Sequence, residues 1–283
     1  MTEPLVPTPP LVKPPRMGGF LPGLVAPEWQ WAWKGLVLAV PLWEGGGAPK
    51  DFSPRQQVIE TPDSTFTWVG GEYGLALSQS GSDSNGLQIT GAAQSLIDLP
   101  TTYNFTVEIW AKRDSALASK CAFGWTGTDD LMIYPNDATV GSGGVRVFWR
   151  DVGGNLINES GPDLSGQWHQ TVFLSRASNN HQAYRDGVSV GTSASTGTAG
   201  PFTGITIGAF GDVTTQPLTG DLLLVRVWDR VLSVTEIAAL ARDPFGPFRA
   251  VDPWGYDWSS ADLAAAAGIG RQMQQHGLYA GRG

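Results

Sequence analysis

The sequence predicts an all-β protein: two antiparallel sheets packed as a jelly-roll sandwich, with one short helix and an extended arm at each end. Three observations predict it. Glycine and proline are abundant, 37 and 20 of 283 residues, while charged side chains make up 16% and apolar ones 41%. That composition suits a turn-rich chain with ample material for a core. Segment after segment alternates apolar and polar side chains with period two, as half-buried strands do. Within the body, only one stretch carries helix start and stop signals. The chain divides into a Pro/Trp-rich arm (1–34), a sandwich (35–248) and a tail (249–283).

The first 27 residues hold eight prolines, from Pro4 to Pro27. Proline fixes φ and lacks an amide donor, so this stretch reads as a polyproline-like arm with no core of its own. It is expected to lie along a partner surface. Trp29, Trp31 and Trp33 follow at period two, which in an extended chain places them on one side, either as an anchor for a partner or as a cover for the chain's own sandwich. Leu36 to Leu42 is a short apolar run, and Tyr73–Ser78 and Gly86–Thr90 are half-buried strands. In Asn104–Lys112, Phe105, Val107, Ile109 and Ala111 point one way, and Thr106, Glu108, Trp110 and Lys112 the other. Val145–Arg150 and Trp168–Ser175 repeat the alternation. His181–Val190 reads as a hairpin with Asp186-Gly187 at its tight turn. Ile205–Gly208 and Leu222–Trp228 complete the strands. The inward set is predicted as Phe105, Val107, Ile109, Val172, Leu174, Val225 and Val227. Ser233-Val234-Thr235-Glu236 is a capping box opening a short helix that Pro244 stops. In the tail, Ala261–Gln275 is Ala-rich and weakly helical.

Composition and charge exclude several functions. The net charge is −8, and residues 35–248 hold 12 basic and 21 acidic side chains, a balance of −9. Such a body repels a phosphate backbone, so no nucleic-acid partner is expected. Cys121 is the one cysteine, which suits synthesis in a reducing cytoplasm and reads as a small core residue rather than a nucleophile. The N-terminus has no basic-then-apolar signal pattern, and no apolar run is long enough to span a membrane. His169, His181 and His276 form no constellation, and neither a nucleophile elbow nor a phosphate loop is present. Glycoside hydrolysis needs two carboxylates about 5–10 Å apart. Glu108 stands alone in its strand and reads as a sheet residue paired across strands. No enzymatic activity and no catalytic residue are expected.

Several motifs together resemble the laminin G-like, concanavalin A-like lectin/glucanase jelly-roll family across roughly 35–248. Leu36–Leu42, Trp43-Glu44-Gly45-Gly46-Gly47 and Asp51-Phe52-Ser53 look like its opening strand, acidic Gly turn and Asp-x-Ser loop. Phe105–Ala111, Trp168-His169-Gln170, Tyr184-Arg185-Asp186-Gly187, Ile205–Gly208 and Val227–Ser233 are similar to its later strands, in the same order. Glu236–Leu240 resembles its terminal helix. The resemblance implies the sandwich fold. Where family members bind calcium, carboxylates near the opening loop and closing strand are the ligands. Here the closing-strand acid pair is replaced by Leu223 and Leu224, so no cofactor is expected, with Asp51, Asp83 and Asn85 as weak metal candidates.

Asp243-Pro244-Phe245-Gly246-Pro247-Phe248-Arg249 resembles the ending of such domains in bacteriophage structural proteins. That implies a virion component: a non-catalytic protein displaying its lectin-like domain on the particle, as capsid decoration or near the tail. It would be fastened to other virion proteins and to copies of itself through 1–34 and 249–283. The alternative is a carbohydrate-binding adhesin that recognises host glycan. Sugar binding needs exposed rings beside acids and amides, and Trp125 with Asp129 and Asp130, or Trp149 with Arg150 and Asp151, are the candidates.

Overall fold

The computed structural model describes residues 25–249, apart from 62–66, 72, 81–85, 90–95, 97–98, 115–119, 128–129, 138–142, 150–153, 197–201 and 210–215. The arm residues 1–24 and the tail 250–283, with its predicted helix, lie outside the described residues.

Fourteen strands are described. β1 (Leu36–Pro41), β2 (Thr67–Gly71), β3 (Gly74–Ser80), β4 (Leu87–Ile89) and β5 (Phe105–Arg113) come first. β6 (Phe123–Gly127), β7 (Leu131–Asp137), β8 (Gly144–Trp149) and β9 (Gly154–Glu159) follow. β10 (Trp168–Ala177), β11 (Asn180–Arg185), β12 (Val188–Ser193), β13 (Phe202–Ile207) and β14 (Thr219–Trp228) complete the set. They form two antiparallel sheets, as predicted. One has the order β12-β11-β10-β5-β14-β3-β2, with β1 also on β14; the other runs β4-β13-β6-β7-β8-β9. The long β14 pairs with β3 through Thr219–Leu222 and with β1 through Leu224–Trp228. The β11–β12 hairpin turns at Asp186 and Gly187, with φ of 50° and 79°. Both central residues are therefore left-handed, as a two-residue hairpin turn demands.

Strands β2, β6, β7 and β9 lie outside the predicted series, and for β2, β7 and β9 the reason is visible in their residues. β7, Leu-Met-Ile-Tyr-Pro-Asn-Asp, is buried along its whole length and so shows no alternation. β2 ends in two glycines, and the two large apolar residues of β9, Leu156 and Ile157, are adjacent, so neither strand shows alternation.

The inter-sheet core contains Phe105, Val107, Ile109, Val225 and Val227, as predicted, together with Phe123, Trp125, Ile133, Trp149, Ile205 and Ile207. Val172 and Leu174 correct the prediction. Both are fully buried, but on the outer side of the eight-stranded sheet, and Phe173 takes the inward position opposite Val107. The reason is that this sheet is buried on both faces there. A run such as Val172-Phe173-Leu174 is then apolar throughout, and alternation cannot assign its sides.

What covers the outer face is a second apolar cluster. Helix α3 (Val234–Arg242) lays Ile237 and Leu240 on it; short helices α1 (Gln30–Trp33) and α2 (Leu99–Thr102) precede it in the chain. The capping box is present: Ser233 Oγ accepts from the Glu236 amide, and the Glu236 carboxylate accepts from the Ser233 amide at 2.7 Å. The tip of the β11–β12 hairpin abuts this helix. A Cβ on Gly187 would stand 3.2 Å from the Ala238 Cα.

The tryptophan stripe is also corrected. Residues 27–33 are not extended: Pro27–Trp29 is a 3₁₀ turn that runs into α1, with proline at the favoured first helical position. Trp29 is buried and Trp31 and Trp33 are half-buried, all packed on the chain's own second cluster. Their partner is the Asp243–Arg249 ending. Trp33 Nε1 donates to the Pro247 carbonyl at 2.7 Å, and Trp33 meets Phe248 edge-on at 6.1 Å. The Trp29 ring lies over Gly246, where a Cβ would come within 2.1 Å of it. Asp243 pairs with Arg249 at 2.8 Å, and the Ala26 amide donates to the Arg249 carbonyl at 3.0 Å. The two ends of the described chain thus leave the sandwich side by side.

Candidate functional site

The two tryptophans read from sequence as sugar-binding are core residues. Trp125 is fully buried between Phe105 and Phe123, and its Nε1 donates to the Leu96 carbonyl at 3.1 Å. Trp149 is fully buried against Tyr103 and His181. Both face the opposite sheet, so neither ring can stack on a ligand. Asp130 is buried and accepts the Gly127 amide at 2.9 Å. Asp129, Arg150 and Asp151 lie outside the described residues.

Asp51 is a structural staple. Its two carboxylate oxygens accept the amides of Ala39, Ser53 and Gln57 and the Ser53 hydroxyl, all at 2.7–2.8 Å. Those bonds tie the loop after β1 back onto the strand and leave the group no role as a metal ligand. Asp83 and Asn85 lie outside the described residues. Among the described residues, no three His, Cys, Asp or Glu side chains converge as a metal site. Leu223 and Leu224, in place of the family's acid pair, are buried in the second cluster.

Glu108 pairs across strands as expected, but the pair is wholly buried. Arg226 Nε and Nη2 both reach Oε2 at 2.7 Å. Trp110 Nε1 and Gln170 Nε2 donate to Oε1 at 3.0 and 2.8 Å. Oε1 thus accepts two hydrogen bonds and Oε2 one beside the ion pair, and Gln170 Nε2 also lies 3.5 Å from the Ile237 carbonyl of α3. His169 bonds Asp186 at 2.6 Å, which fastens β10 to the hairpin turn. Cys121 is buried beside Met132 and Tyr134, and burial pushes its thiol up to about 12, so it stays a thiol.

The site that sequence reasoning missed lies on the same outer face, beside the helical cover. Cross-strand register lines up Thr67 on β2, Ser78 on β3, Asp221 on β14, Lys112 on β5 and Trp168 on β10. Residues directly opposite across strands share a face, so the five make one transverse stripe. Lys112 Nζ is 2.6 Å from Asp221 Oδ2 and 5.5 Å from the Trp168 ring centroid. Trp168 is half-buried, and Tyr73 meets it edge-on at 6.2 Å; Tyr73 in turn packs on Trp110 at 5.7 Å. Thr67 is exposed and Ser78 half-buried. The stripe thus holds a half-buried indole with the Lys112 ammonium over its ring, a Lys112–Asp221 pair whose carboxylate is the more buried partner, and two hydroxyls. Chemically it can stack a ring and exchange hydrogen bonds with hydroxyl groups. The signal for it was faint: Lys112 ends the outward series of β5 and Trp168 opens β10, but only the register brings them together.

The family model of the concanavalin A-like lectin/glucanases superfamily matches residues 80–238. The chain belongs to that superfamily. None of the curated proteins compared with it matches. Among solved structures, this lectin/glucanase domain is similar to domain 4 of AbnA, an extracellular arabinanase from Geobacillus stearothermophilus. The TM-score is 0.53 at 16% identity, over 73% of this chain and 98% of that one. Trypanosoma rangeli sialidase gives 0.54 at 15% identity, over 74% of this chain but only 33% of the sialidase. The botulinum neurotoxin serotype D binding domain gives 0.53 at 13%, over 73% and 51%. These likenesses establish the shared fold.

Proposed function

We propose that the chain is a non-catalytic bacteriophage virion protein that displays its lectin-like sandwich on the particle and grips carbohydrate through the Trp168 stripe. The stripe carries the sugar-binding part of this reading: it is a half-buried aromatic ring beside paired polar groups, on a fold shared with an arabinanase domain that was solved with arabinotriose. Glycoside hydrolysis needs two working carboxylates. The stripe has one, Asp221, held by Lys112, while Glu108 is locked beneath α3 by Arg226. Support for the virion comes from the Asp243–Arg249 ending and its resemblance to phage structural domains. Support for fastening through the flanks comes from Ala26 and Arg249, whose hydrogen bond brings both flanks out at one place. Partner contacts then fall to residues 1–24 and 250–283, because the three tryptophans are engaged within the chain.

Two measurements test this. Purified particles labelled with antibody against the sandwich should carry it on their surface, and deletion of residues 1–24 should abolish that labelling while the free domain stays folded. Incubation with bound oligosaccharide should release no reducing ends. Absence of the chain from purified particles, or steady glycan cleavage, would defeat the proposal.

A further inference from the structure

We infer that the stripe takes a neutral oligosaccharide laid across the strands, one ring stacked on Trp168 and two neighbouring hydroxyls shared between Lys112 and Asp221. This rests on the reading of the stripe as a sugar site. Its length is the first argument. The five residues sit on consecutive strands β2-β3-β14-β5-β10. Four inter-strand steps of about 4.8 Å make about 19 Å, room for several sugar rings in a row.

Its rigidity is the second. The Trp168 indole is held by Tyr73 at a near-perpendicular 87° and carries the Lys112 ammonium over its ring at 5.5 Å, so its plane is set before any ligand arrives. A preset ring costs little ordering entropy on binding. Its charge is the third. At 2.6 Å the Lys112–Asp221 pair is locally neutral, with a donor and an acceptor side by side, the Lys112 side chain 29% exposed and the Asp221 side chain 10%. A sugar hydroxyl both donates and accepts, so two adjacent hydroxyls complement the pair. A ligand carboxylate or sulfate finds Lys112 already neutralised, Asp221 repelling it, and a body whose balance over 35–248 is −9. Ser78 and Thr67 extend the same hydroxyl-matching surface toward β2.

Calorimetry on the full chain, with arabinotriose and cellotetraose as neutral probes and sialyllactose as the acidic one, tests this. Neutral binding should be nearly independent of salt, since no net charge is screened. Trp168→Ala should weaken it about tenfold or more, with the fold checked by circular dichroism. Asp221→Asn frees the Lys112 charge and should shift preference toward sialyllactose, a readout that does not depend on the tryptophan variant. Neutral binding untouched by Trp168→Ala would move the site elsewhere and overturn the inference, though not the sugar-binding reading. Preference of the unaltered chain for sialyllactose would overturn the ligand class. No binding to any probe would sink the reading itself.

Discussion

Glu108 sits at the centre of a buried polar network with Arg226, Trp110 and Gln170. By sequence it is the one acid of its strand, paired across to a neighbouring strand. In the structure it neutralises Arg226, whose guanidinium is fully buried among Trp228 and Phe248. Removing one member of a buried pair strands the other charge, at a cost of about 3–5 kcal/mol. Glu108→Ala is therefore expected to lower the denaturation midpoint sharply, with a double Glu108→Leu, Arg226→Met variant recovering most of the loss. Equal melting of Glu108→Ala and the unaltered chain would refute the role. At the other extreme, Ser233→Ala removes one cap bond and should cost about 1 kcal/mol in urea titration.

At the scale of elements, the decisive contact is between the tryptophan turn and the Asp243–Arg249 ending. Trp33 bonds Pro247, Trp29 rests on Gly246, and Trp228 Nε1 donates to the Ala32 carbonyl at 2.7 Å. Arg230 reaches the Trp31 and Lys34 carbonyls and the Glu236 carboxylate, joining the turn to α3. Deletion to residue 24 should leave the melting temperature near that of the full chain. Deletion to residue 34 should lower it by several degrees, because it uncovers the second apolar cluster. Identical melting of the two truncations would show that the turn adds nothing to the sandwich. Gly246→Val should mimic the longer deletion, since its side chain collides with Trp29.

For the molecule as a whole, acid sensitivity follows from His181. Its ring is stacked on Phe173 at an interplanar 17° and meets Trp149, and burial holds its pKa below the ordinary imidazole value. The unfolded chain therefore takes up this proton first as pH falls through about 6.5. Stability is unaffected by His181 above that pH, declines as pH drops from there toward the lower folded-state pKa, and levels below it. Unfolding titrations between pH 7 and 5 should show the decline, and His181→Phe should flatten it. A slope unchanged in that variant would assign the effect elsewhere.

The sequence by itself determined the two-sheet antiparallel architecture, the hairpin at Asp186-Gly187, the capped helix and most strands, because period-two alternation and turn or cap chemistry act within a few residues. It also determined that Glu108 is a paired sheet residue and that Cys121 is buried. It did not determine which side Val172 and Leu174 face, because a sheet covered on both faces buries both sets. Nor did it distinguish Trp125 and Trp149 in the core from Trp168 at the surface: a tryptophan in a strand reads the same whichever way the strand is turned. Period-two spacing of Trp29, Trp31 and Trp33 suggested an extended chain, and the neighbouring ending drew that segment into a helical turn instead. The Thr67–Ser78–Asp221–Lys112–Trp168 stripe is a product of register between strands far apart in the chain. Only the tertiary structure decides register, because the pairing of strands is set by the joint packing of both sheets and not by any local signal.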